Sequence, residues 1–348
     1  MAGGTGGHVF PGLCIADKLK AEGWQVSWLG TKDKIEAQLV PKHGYEIDFI
    51  DISGVRNNGI MRLLFAPFRI LKSILQARAV LKKRHVNLVI GMGGFASGPG
   101  GIAAWVLGIT VLLHEQNAAA GLTNRLLAPF CKKILMGFDG AFNNKNALLV
   151  GNPVRESLIN LPPKKISAKN EMLKVLIVGG SLGAKVLNDL LPIVMNDLDP
   201  DKYQIIHQSG KGHLKTLQND YQKNQTKADV REFIDDMDVV YDWADLIVCR
   251  AGALTVAEVA IVGLPAIFVP LPHAVDDHQT KNAQNLVAKQ AAILIAQKDL
   301  NKDILSEYLI RFSSNKQLLT EMSTRCKEAA MVDSTQRIAL VCEQSVSF

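Results

Sequence analysis

The sequence lacks clustered cysteines, a long apolar segment and a secretion signal, and each absence excludes a class of protein. Its five cysteines are scattered, with no C-x-x-C pair and no metal-ligand spacing, so we expect buried thiols in a reducing compartment. The longest nearly apolar run, residues 100–113, is shorter than the roughly 20 residues of a membrane-spanning helix. No signal peptide is recognised. These absences predict a cytosolic, globular protein.

Length and periodicity favour two α/β domains. The chain of 348 residues exceeds the usual size of one domain. Strand-like runs alternate with helix-like segments nearly throughout, which is typical of parallel, doubly wound sheets. The predicted strands are residues 25–29, 47–50, 88–91, 110–113, 133–136, 148–150, 174–178, 203–208, 230–233, 246–249, 266–269 and 292–295.

Turn-forming residues near the middle of the chain indicate the domain boundary. Gly151, Asn152 and Pro153 are followed by a proline-rich segment at residues 161–165. The predicted domains are therefore residues 1–152 and 153–330. Residues 331–348 have a helical pattern, and this tail is expected to pack back on the N-terminal domain.

Two glycine-rich turns, half a chain apart, are the most informative motifs. Residues 3–7 (GGTGG) open the chain, and residues 179–184 (GGSLGA) follow a predicted strand. Glycine allows a sharp turn and a close approach to a ligand, and the helix start that follows offers N–H groups to an anion. Two such loops suggest two α/β domains that face a shared ligand. The opening loop lacks the G-x-G-x-x-G spacing, which argues against an NAD-dependent oxidoreductase.

The opening glycine loop has no strand before it. Such a loop normally follows a buried strand, yet only Met1 and Ala2 precede Gly3. Either the true start lies upstream, or the first sheet lacks its central strand. We favour an upstream start, because losing that strand would leave apolar faces of its neighbours uncovered.

Polar residues at the predicted ends of strands are candidates for chemistry in the first half. His8 lies at a helix start, where the helix dipole suits a neutral general base, although a helix-capping histidine fits equally well. Residues 114–117 (HEQN) follow an apolar strand, at the position where open α/β sheets bind ligands. The glycine-rich loop at residues 91–99 either brings N–H groups to an anion or makes a tight crossover.

In the second half, residues 250–258 (RAGALTVAE) follow another apolar strand. The N–H groups from Ala253 to Thr255 would face a diphosphate, assisted by the Thr255 hydroxyl. Glu258 lies one turn further on, where its carboxylate can accept hydrogen bonds from two neighbouring hydroxyls, as on a ribose. The alternative for Glu258 is a first-turn acid that complements the helix dipole.

Residues 276–282 (DDHQTKN) begin a further helix, and their polar groups, including Gln279 and Asn282, suit sugar hydroxyls. The adjacent Asp276 and Asp277 are also compatible with a metal, but acids at a helix start are more often caps. We expect neither a metal nor a cofactor.

A basic and apolar segment runs from Arg56 to Arg84. It contains eight Lys or Arg residues and no acid, interleaved with large apolar side chains. Such a segment favours contact with an anionic membrane surface or with phosphates, and the alternative is a solvated helix face that covers a core. Nucleic acid is not an expected partner, because no reading motif or aromatic stacking platform accompanies the charge.

Taken together, the motifs closely resemble the MurG family, bacterial glycosyltransferases that add N-acetylglucosamine to the lipid-linked muramyl-pentapeptide intermediate of peptidoglycan synthesis. The matching segments lie in order along essentially the whole chain. They are residues 3–12, 91–99, 114–117, 151–155, 179–184, 233–237, 250–258 and 277–282. The resemblance implies a GT-B architecture, with two Rossmann-like domains of doubly wound parallel sheet and an interdomain cleft. The N-terminal domain would bind the acceptor and the C-terminal domain UDP-N-acetylglucosamine.

The resemblance also implies roles for single residues. The backbone of Ile234 should contact the uracil and Glu258 the ribose, with Arg155 near the nucleotide end. Ser181 should bind the diphosphate together with a helix start. Asn117 and Gln279 should hold the sugar, and His8 should deprotonate the muramyl 4-hydroxyl. The full set expected to bind the donor is Thr5, Gly6, Gly7, Asn117, Arg155, Ser181, Ile234, Ala253, Leu254, Thr255, Val256, Ala257, Glu258 and Gln279.

The implied reaction is a single inverting step that gives a β-1,4 link and converts lipid I into lipid II. The enzyme would be peripheral on the cytoplasmic face of the inner membrane, docked through the segment from Arg56 to Arg84. Other cell-wall synthesis and division proteins are expected partners. Two alternatives stay open: a UDP-N-acetylglucosamine 2-epimerase, and a non-catalytic nucleotide-sugar-binding subunit that recruits a partner to the membrane.

Overall fold

All twelve predicted strands occur, each with bounds within two residues of the prediction. They were identified in a computed structural model that describes residues 1–52, 66–168, 171–272 and 274–346. The chain divides into two units, which we describe separately. Unit 1 comprises Met1–Val154 and Met331–Phe348, and unit 2 comprises Arg155–Ala330.

The helices and strands are numbered in chain order. Up to residue 154 they are α1 (Gly6–Ala21), β1 (Ser27–Gly30), α2 (Glu36–Lys42), β2 (Glu46–Phe49), α3 (Ala66–Lys83), β3 (Leu88–Gly91), α4 (Ser97–Val106), β4 (Thr110–Glu115), α5 (Leu122–Leu127), β5 (Lys133–Met136) and β6 (Ala147–Leu149). From residue 155 they are α6 (Glu156–Ile159), β7 (Leu173–Val178), α7 (Lys185–Asn196), β8 (Tyr203–Gln208), α8 (Leu214–Lys223), β9 (Asp229–Arg231), α9 (Met237–Trp243), β10 (Leu246–Cys249), α10 (Ala253–Val262), β11 (Ala266–Phe268), α11 (His278–Val287), β12 (Ala292–Leu294), α12 (Lys302–Ser314), α13 (Lys316–Ala329) and α14 (Ser334–Ser345).

Unit 1 contains two parallel sheets rather than one. β1 pairs with β2, and β3, β4, β5 and β6 pair in that order. One apolar cluster joins α1 to the C-terminal helix α14, with Val9 and Leu13 in the same core as Ile338 and Cys342. A second cluster covers the other face, beneath α3 and α4. Within the described ranges no strand pairs with both β1 and β3, so the two sheets stay separate at this point.

Unit 2 contains one six-stranded parallel sheet in the order β12-β11-β10-β7-β8-β9. The chain starts at the centre with β7, winds outward through β8 and β9, and returns through β10 on the other side, which is the doubly wound order of Rossmann-like domains. All four residues of β10 are buried, as expected for a parallel strand covered on both faces. The change of winding direction lies between β7 and β10, where Val178 pairs with Cys249.

Two further expectations can be compared with the structure. The five cysteines are free thiols, four of them buried and Cys14 half-buried. Of the helices in the described ranges, none has the length and apolarity needed to cross a bilayer.

The buried carboxylate of Glu36, on α2, holds the opening turn in place. Its Oε1 accepts hydrogen bonds from the Thr31 N–H (3.1 Å) and the Thr31 hydroxyl (2.6 Å). Its Oε2 accepts one from the Gly4 N–H at 3.0 Å. The glycine turn is therefore attached to the rest of unit 1 by a side chain that the sequence analysis did not identify.

We predict that Glu36→Ala lowers the free energy of unfolding by about 3 kcal/mol, because it leaves buried donors on Gly4 and Thr31 without their acceptor. Gln38→Ala, on the exposed side of the same helix, is the matched control and should change it by less than about 0.5 kcal/mol. Urea denaturation of both variants measures the difference. Equal stabilities would contradict the assignment.

Candidate functional site

Three of the motifs in unit 1 converge on the imidazole of His8. The loop after β3 contacts the ring closely: a Cβ added to Gly93 would lie 2.9 Å from His8 Cε1. The neighbouring Gly94 packs on the backbone of Gly3, and both loop glycines have positive φ, +93° and +79°. Larger residues would be strained there and would displace the opening turn. The loop at residues 91–99 thus acts as a tight crossover that supports His8.

A chain of three hydrogen bonds connects His8 to the backbone of Gly151. His8 Nδ1 lies 3.0 Å from Gln116 Oε1. Gln116 Nε2 lies 3.1 Å from His114 Nδ1, and His114 Nε2 lies 3.0 Å from the Gly151 carbonyl oxygen. We call these four groups the histidine relay.

The proton positions along the histidine relay follow from the Gly151 carbonyl oxygen at its end. A carbonyl oxygen can only accept, so His114 Nε2 must carry a proton. Burial lowers the pKa of the His114 imidazole to about 4, so the ring is neutral and its Nδ1 accepts from the Gln116 amide. The Gln116 oxygen in turn accepts from His8 Nδ1–H. This tautomer leaves the lone pair of His8 on Nε2, which is what a general base requires.

Glu115, the last residue of β4, lies between His114 and Gln116 of the relay and organises the following loop. Its Oε1 accepts from the Asn117 N–H (3.0 Å) and side-chain amide (3.1 Å). Its Oε2 accepts from the Gly121 N–H (3.0 Å) and from Asn124 Nδ2 (2.8 Å). Asn117, which we expected to hold the sugar, is therefore positioned by a buried carboxylate.

The opening turn presents a helix N-terminus beside His8. Thr5 is the N-cap of α1 in an extended conformation, and its carbonyl accepts from the N–H groups of His8 and Val9. The N–H groups of Gly6 and Gly7 precede the first intrahelical bonds, so they are directed out of the helix start. Such groups can bind an anion.

In unit 2 the two candidate loops follow β7 and β10, the neighbouring strands at which the winding reverses. Ligands in open α/β sheets bind at this point. The first loop is held by backbone contact: Gly183 has φ +77°, and a Cβ there would lie 2.2 Å from the Ser209 carbonyl oxygen. The Ser181 carbonyl accepts from the Lys211 N–H at 3.1 Å, and the Ser181 side chain is exposed.

The second loop ends in the N-terminus of α10. Gly252 is its N-cap, and the Val256 N–H donates to the Gly252 carbonyl at 3.0 Å. The N–H groups from Ala253 to Thr255 therefore have no partner within the helix and can bind an anion. Val256 is buried and its N–H is used by the helix, so its predicted contact with the donor stays a prediction.

Glu258 belongs to a buried polar cluster. The Tyr241 hydroxyl donates to its Oε2 at 3.0 Å, and Arg155 Nη2 lies 3.5 Å from its Oε1. Burial raises the pKa of the Glu258 carboxyl, and Arg155 and the Tyr241 hydroxyl oppose that shift. The first turn of α10 contains no acid, so the dipole-complementing alternative is wrong. Each carboxylate oxygen keeps a lone pair for a ligand hydroxyl.

The remaining predicted groups of unit 2 are held by the fold. Ile234 is buried, with 2% of the residue exposed, so its predicted backbone contact with the uracil stays a prediction. Gln279 Oε1 accepts from the Leu271 N–H at 2.9 Å. Asn282 is fully buried and donates to the Ala251 carbonyl at 3.2 Å, so it holds the loop before α10, and its role at a sugar stays a prediction.

Two further observations concern Asp277 and potential metal ligands. Asp277 accepts from the Thr280 hydroxyl at 2.7 Å and makes no capping bond to a helix N–H. The described residues contain no group of three or more potential metal ligands.

Arg250 is a structural residue that the sequence analysis did not identify. It donates to the Val269 and Pro270 carbonyls and to Gln297 Oε1. It fixes the loop before α10 to the end of β11.

The chain is similar to known glycosyltransferases over most of its length. The chain matches the glycosyltransferase family 28 N-terminal domain over residues 1–136 and the family 28 C-terminal domain over residues 174–338. It is 66% identical over 346 residues to UDP-N-acetylglucosamine--N-acetylmuramyl-(pentapeptide) pyrophosphoryl-undecaprenol N-acetylglucosamine transferase of Psychromonas ingrahamii, covering 99% of this chain and 98% of the relative.

Solved structures show the same similarity. The crystal structure of Acinetobacter baumannii MurG has a TM-score of 0.84 at 40% identity and covers 99% of this chain and 98% of its own. UDP-GlcNAc 2-epimerase from Neisseria meningitidis has a TM-score of 0.64 at 12% identity, covering 94% of this chain and 95% of its own. A likeness at that identity shows a shared fold alone, and so gives no support to the epimerase alternative.

We predict that the His114 imidazole stays neutral from about pH 5.5 to pH 8, so that its NMR resonances do not shift over this range. In the unfolded chain it should titrate near the ordinary value of about 6.5. Between pH 6.5 and 4 only the unfolded chain then takes up this proton, so acid destabilises the fold by up to about 3 kcal/mol. A titration midpoint near 6.5 in the folded protein would contradict the proton positions assigned to the relay.

Proposed function

The chain belongs to the MurG family within glycosyltransferase family 28, and we propose that His8 is its general base and that unit 2 binds the sugar donor. It transfers N-acetylglucosamine from UDP-N-acetylglucosamine to lipid I, giving lipid II in peptidoglycan synthesis. Its two parallel α/β units are those of the GT-B architecture. The observation that carries the proposal for His8 is the histidine relay, which leaves a lone pair on Nε2.

In the proposed reaction, His8 Nε2 removes the proton from the 4-hydroxyl of the muramyl sugar. The oxygen then attacks the anomeric carbon of N-acetylglucosamine from the side opposite UDP. The bond from that carbon to the β-phosphate oxygen breaks, and its electron pair leaves with UDP, so the configuration inverts. Throughout the reaction the Gln116 oxygen accepts a hydrogen bond from His8 Nδ1–H. This bond keeps Nε2 directed towards the 4-hydroxyl.

The leaving diphosphate gains negative charge as this bond breaks. We assign its stabilisation to the N–H groups of Ala253, Leu254 and Thr255, with Ser181 as a further contact. Preorganised donors of this kind are typically worth about 100- to 1,000-fold in rate each. The turn formed by Thr5, Gly6 and Gly7 is assigned to the same diphosphate.

The nucleoside and sugar contacts are assigned to the other polar groups described above. Glu258 would accept from the two ribose hydroxyls, with Arg155 balancing its charge. The backbone of Ile234 would bind the uracil. Gln279 and Asn117 would hold the transferred sugar, each through the amide group that the fold already positions.

The membrane contact is a proposal about α3. Phe68, Leu71 and Leu75 project from this helix with 71%, 55% and 54% of their surface exposed, next to exposed basic side chains such as Arg69 and Arg78. An anionic membrane surface matches both properties. The part of the predicted segment before residue 66, including Arg56 and Arg62, lies outside the described residues.

The charge of this helix is partly balanced within the fold. Lys72 pairs with Asp51 at 3.0 Å, and Arg84 pairs with Asp48 at 2.8 Å and with Glu46. The acids missing from the sequence segment are thus supplied by β2 and the residues after it. Binding to anionic lipid would therefore depend on the exposed apolar side chains as well as on charge.

We predict that His8→Ala lowers kcat of the transfer by about 100- to 10,000-fold, with little change in the affinity for UDP, because it removes the base and leaves unit 2 intact. His213→Ala is the matched control, since His213 is an exposed histidine at the start of α8. Transfer of labelled N-acetylglucosamine to a short-chain lipid I analogue measures both. Undiminished transfer by His8→Ala would remove His8 from the chemistry.

Gln116→Glu tests the relay in the same assay. A carboxylate beside His8 Nδ1 favours the protonated imidazole, so the acidic limb of the kcat/KM profile should move to higher pH. An unchanged profile would show that Gln116 does not position the base.

For the membrane contact, we predict that Phe68→Ser combined with Leu71→Ser lowers binding to vesicles containing anionic lipid by at least about tenfold. Leu340→Ser on α14 is the control, because Leu340 is similarly exposed at 47% and its basic neighbour Arg337 is paired with Asp333. Sedimentation with vesicles measures the bound fraction. Equal binding of both variants would argue against α3 as the docking surface.

A further inference from the structure

Gly151 and Asn152, which follow β6, make hydrogen bonds to both inner members of the histidine relay. The Gly151 carbonyl accepts from His114 Nε2 at 3.0 Å. The side-chain amide of Asn152 donates to the Gln116 carbonyl at 2.9 Å. Both residues are buried. We call Gly151 and Asn152 the relay seat, because a displacement of this pair would move His114 and Gln116 together.

The end of β5 fixes the backbone of the relay seat. The N–H groups of Val150 and Gly151 donate to the Met136 carbonyl at 3.0 and 3.1 Å. The next residue, Gly137, has no space for a side chain, because a Cβ there would overlap the Asn152 amide. The relay seat is therefore closely packed on the side of the sheet.

The C-terminal segment, residues 331–345, covers the other side of the relay seat. Gly151 has φ +84°, and a Cβ added to it would overlap Ser334 Oγ and lie 2.8 Å from Met331 Cβ. Ser334 is only 2% exposed, and its hydroxyl donates to the Met331 carbonyl at 2.7 Å. The start of this segment is thus a hydrogen-bonded turn in direct contact with Gly151, and no residue larger than glycine fits between them.

The same segment also contacts the element that carries His8, at the opposite end of the relay. Val9 and Leu13 of α1 lie in one apolar cluster with Ile338 and Cys342 of α14, and each of the four is at most 3% exposed. Val9 directly follows His8 in the chain. The C-terminal segment therefore contacts the relay seat through residues 331–334 and the helix of His8 through α14.

The carbonyl of Gly151 determines which nitrogen of His8 carries a proton. If this carbonyl moves away, His114 is free to place its proton on Nδ1 instead of Nε2. The Gln116 side chain must then rotate, so that its oxygen accepts from His114 and its amide donates to His8 Nδ1. His8 would then carry its proton on Nε2, and that nitrogen would have no lone pair with which to remove a proton.

We propose that the C-terminal segment is a positioning element for the general base, which acts through the relay seat and through α1. This inference rests on the role proposed for His8. The three hydrogen bonds of the relay keep their order only while each stays within about 2.7–3.2 Å, and the segment holds both ends of that series. Ser334 is on this argument a positioning residue, because it acts through Gly151.

The test compares Gly151→Ala with Gly140→Ala. Gly140 has the same φ of +84°, but nothing lies within 4 Å of a Cβ added to it. Alanine is therefore strained equally at the two positions, and only Gly151→Ala presses on Ser334 and displaces the carbonyl. The imidazole ¹⁵N chemical shifts of labelled protein at about pH 8 distinguish a nitrogen that carries a proton from one that has a lone pair.

Gly151→Ala should move the His8 Nε2 shift from that of a lone-pair nitrogen towards that of a protonated one. It should also lower kcat of the transfer by about 10- to 100-fold. The affinity for UDP should stay within about twofold, because the nucleoside contacts are assigned to unit 2. Gly140→Ala should retain the nitrogen shifts and kcat of the unchanged protein.

The contribution of the C-terminal segment is tested by adding Ser334→Gly to Gly151→Ala. This change removes the hydroxyl that the new methyl group would overlap, so the double variant should regain the His8 nitrogen shifts in part. Its kcat should be at least about threefold above that of Gly151→Ala alone. A double variant that is no better than the single one would overturn the role given to residues 331–334.

A second variant keeps the test valid if Gly151→Ala does not fold. Asn152→Asp has nearly the shape of the original side chain but replaces the donor to the Gln116 carbonyl by an acceptor, so it should displace Gln116 and alter the His8 shifts. Unaltered His8 shifts in whichever of the two variants folds would refute the inference. Altered shifts with undiminished kcat would instead exclude His8 as the base and leave its positioning by the segment in place.

Discussion

Parallel strands cannot be joined by tight hairpins, so each is followed by a crossover and all of their carboxyl ends emerge at one edge of the sheet. In unit 2 this constraint makes the loops at residues 179–184 and 250–258 neighbours, because β7 and β10 are adjacent and end at the same level. In unit 1 it gathers the opening turn and the loops after β3 and β4 around one imidazole. Groups that are a hundred residues apart in sequence thus form a site without any special long-range contact.

The alternation of side chains over residues 114–116, at the end of β4 and just past it, explains how one short motif performs two tasks. His114 and Gln116 project to one side and build the histidine relay, and Glu115 projects to the other and binds the loop that carries Asn117. The proposed base is consequently backed by a neutral amide and a neutral imidazole, not by a carboxylate. This neutral relay fixes the tautomer of His8 that has its lone pair on Nε2.

The sequence was sufficient for the strands and for the position of the loops, since both depend on local periodicity and glycine. It was insufficient wherever a side chain makes a hydrogen bond to a backbone group that is far away in sequence. Arg250 binds carbonyl groups after β11, which its motif does not show. Glu258 and Arg155 were both identified, but Tyr241, the hydrogen-bond donor to Glu258, was not, and only the folded chain brings the three together. The order of charged residues along the chain does not show which buried N–H and hydroxyl groups will need a hydrogen-bond acceptor in the fold.

The first residues of the chain attach the segment that carries His8 to the rest of unit 1. Met1 and Ala2 are attached to β3 and to Trp28, and the turn that follows is held by Glu36 before the chain reaches His8. The contact of Gly93 with His8 leaves little space for the ring to move. The segment that carries His8 is therefore fixed by hydrogen bonds of Met1 and Gly4 on one side and by the loop after β3 on the other.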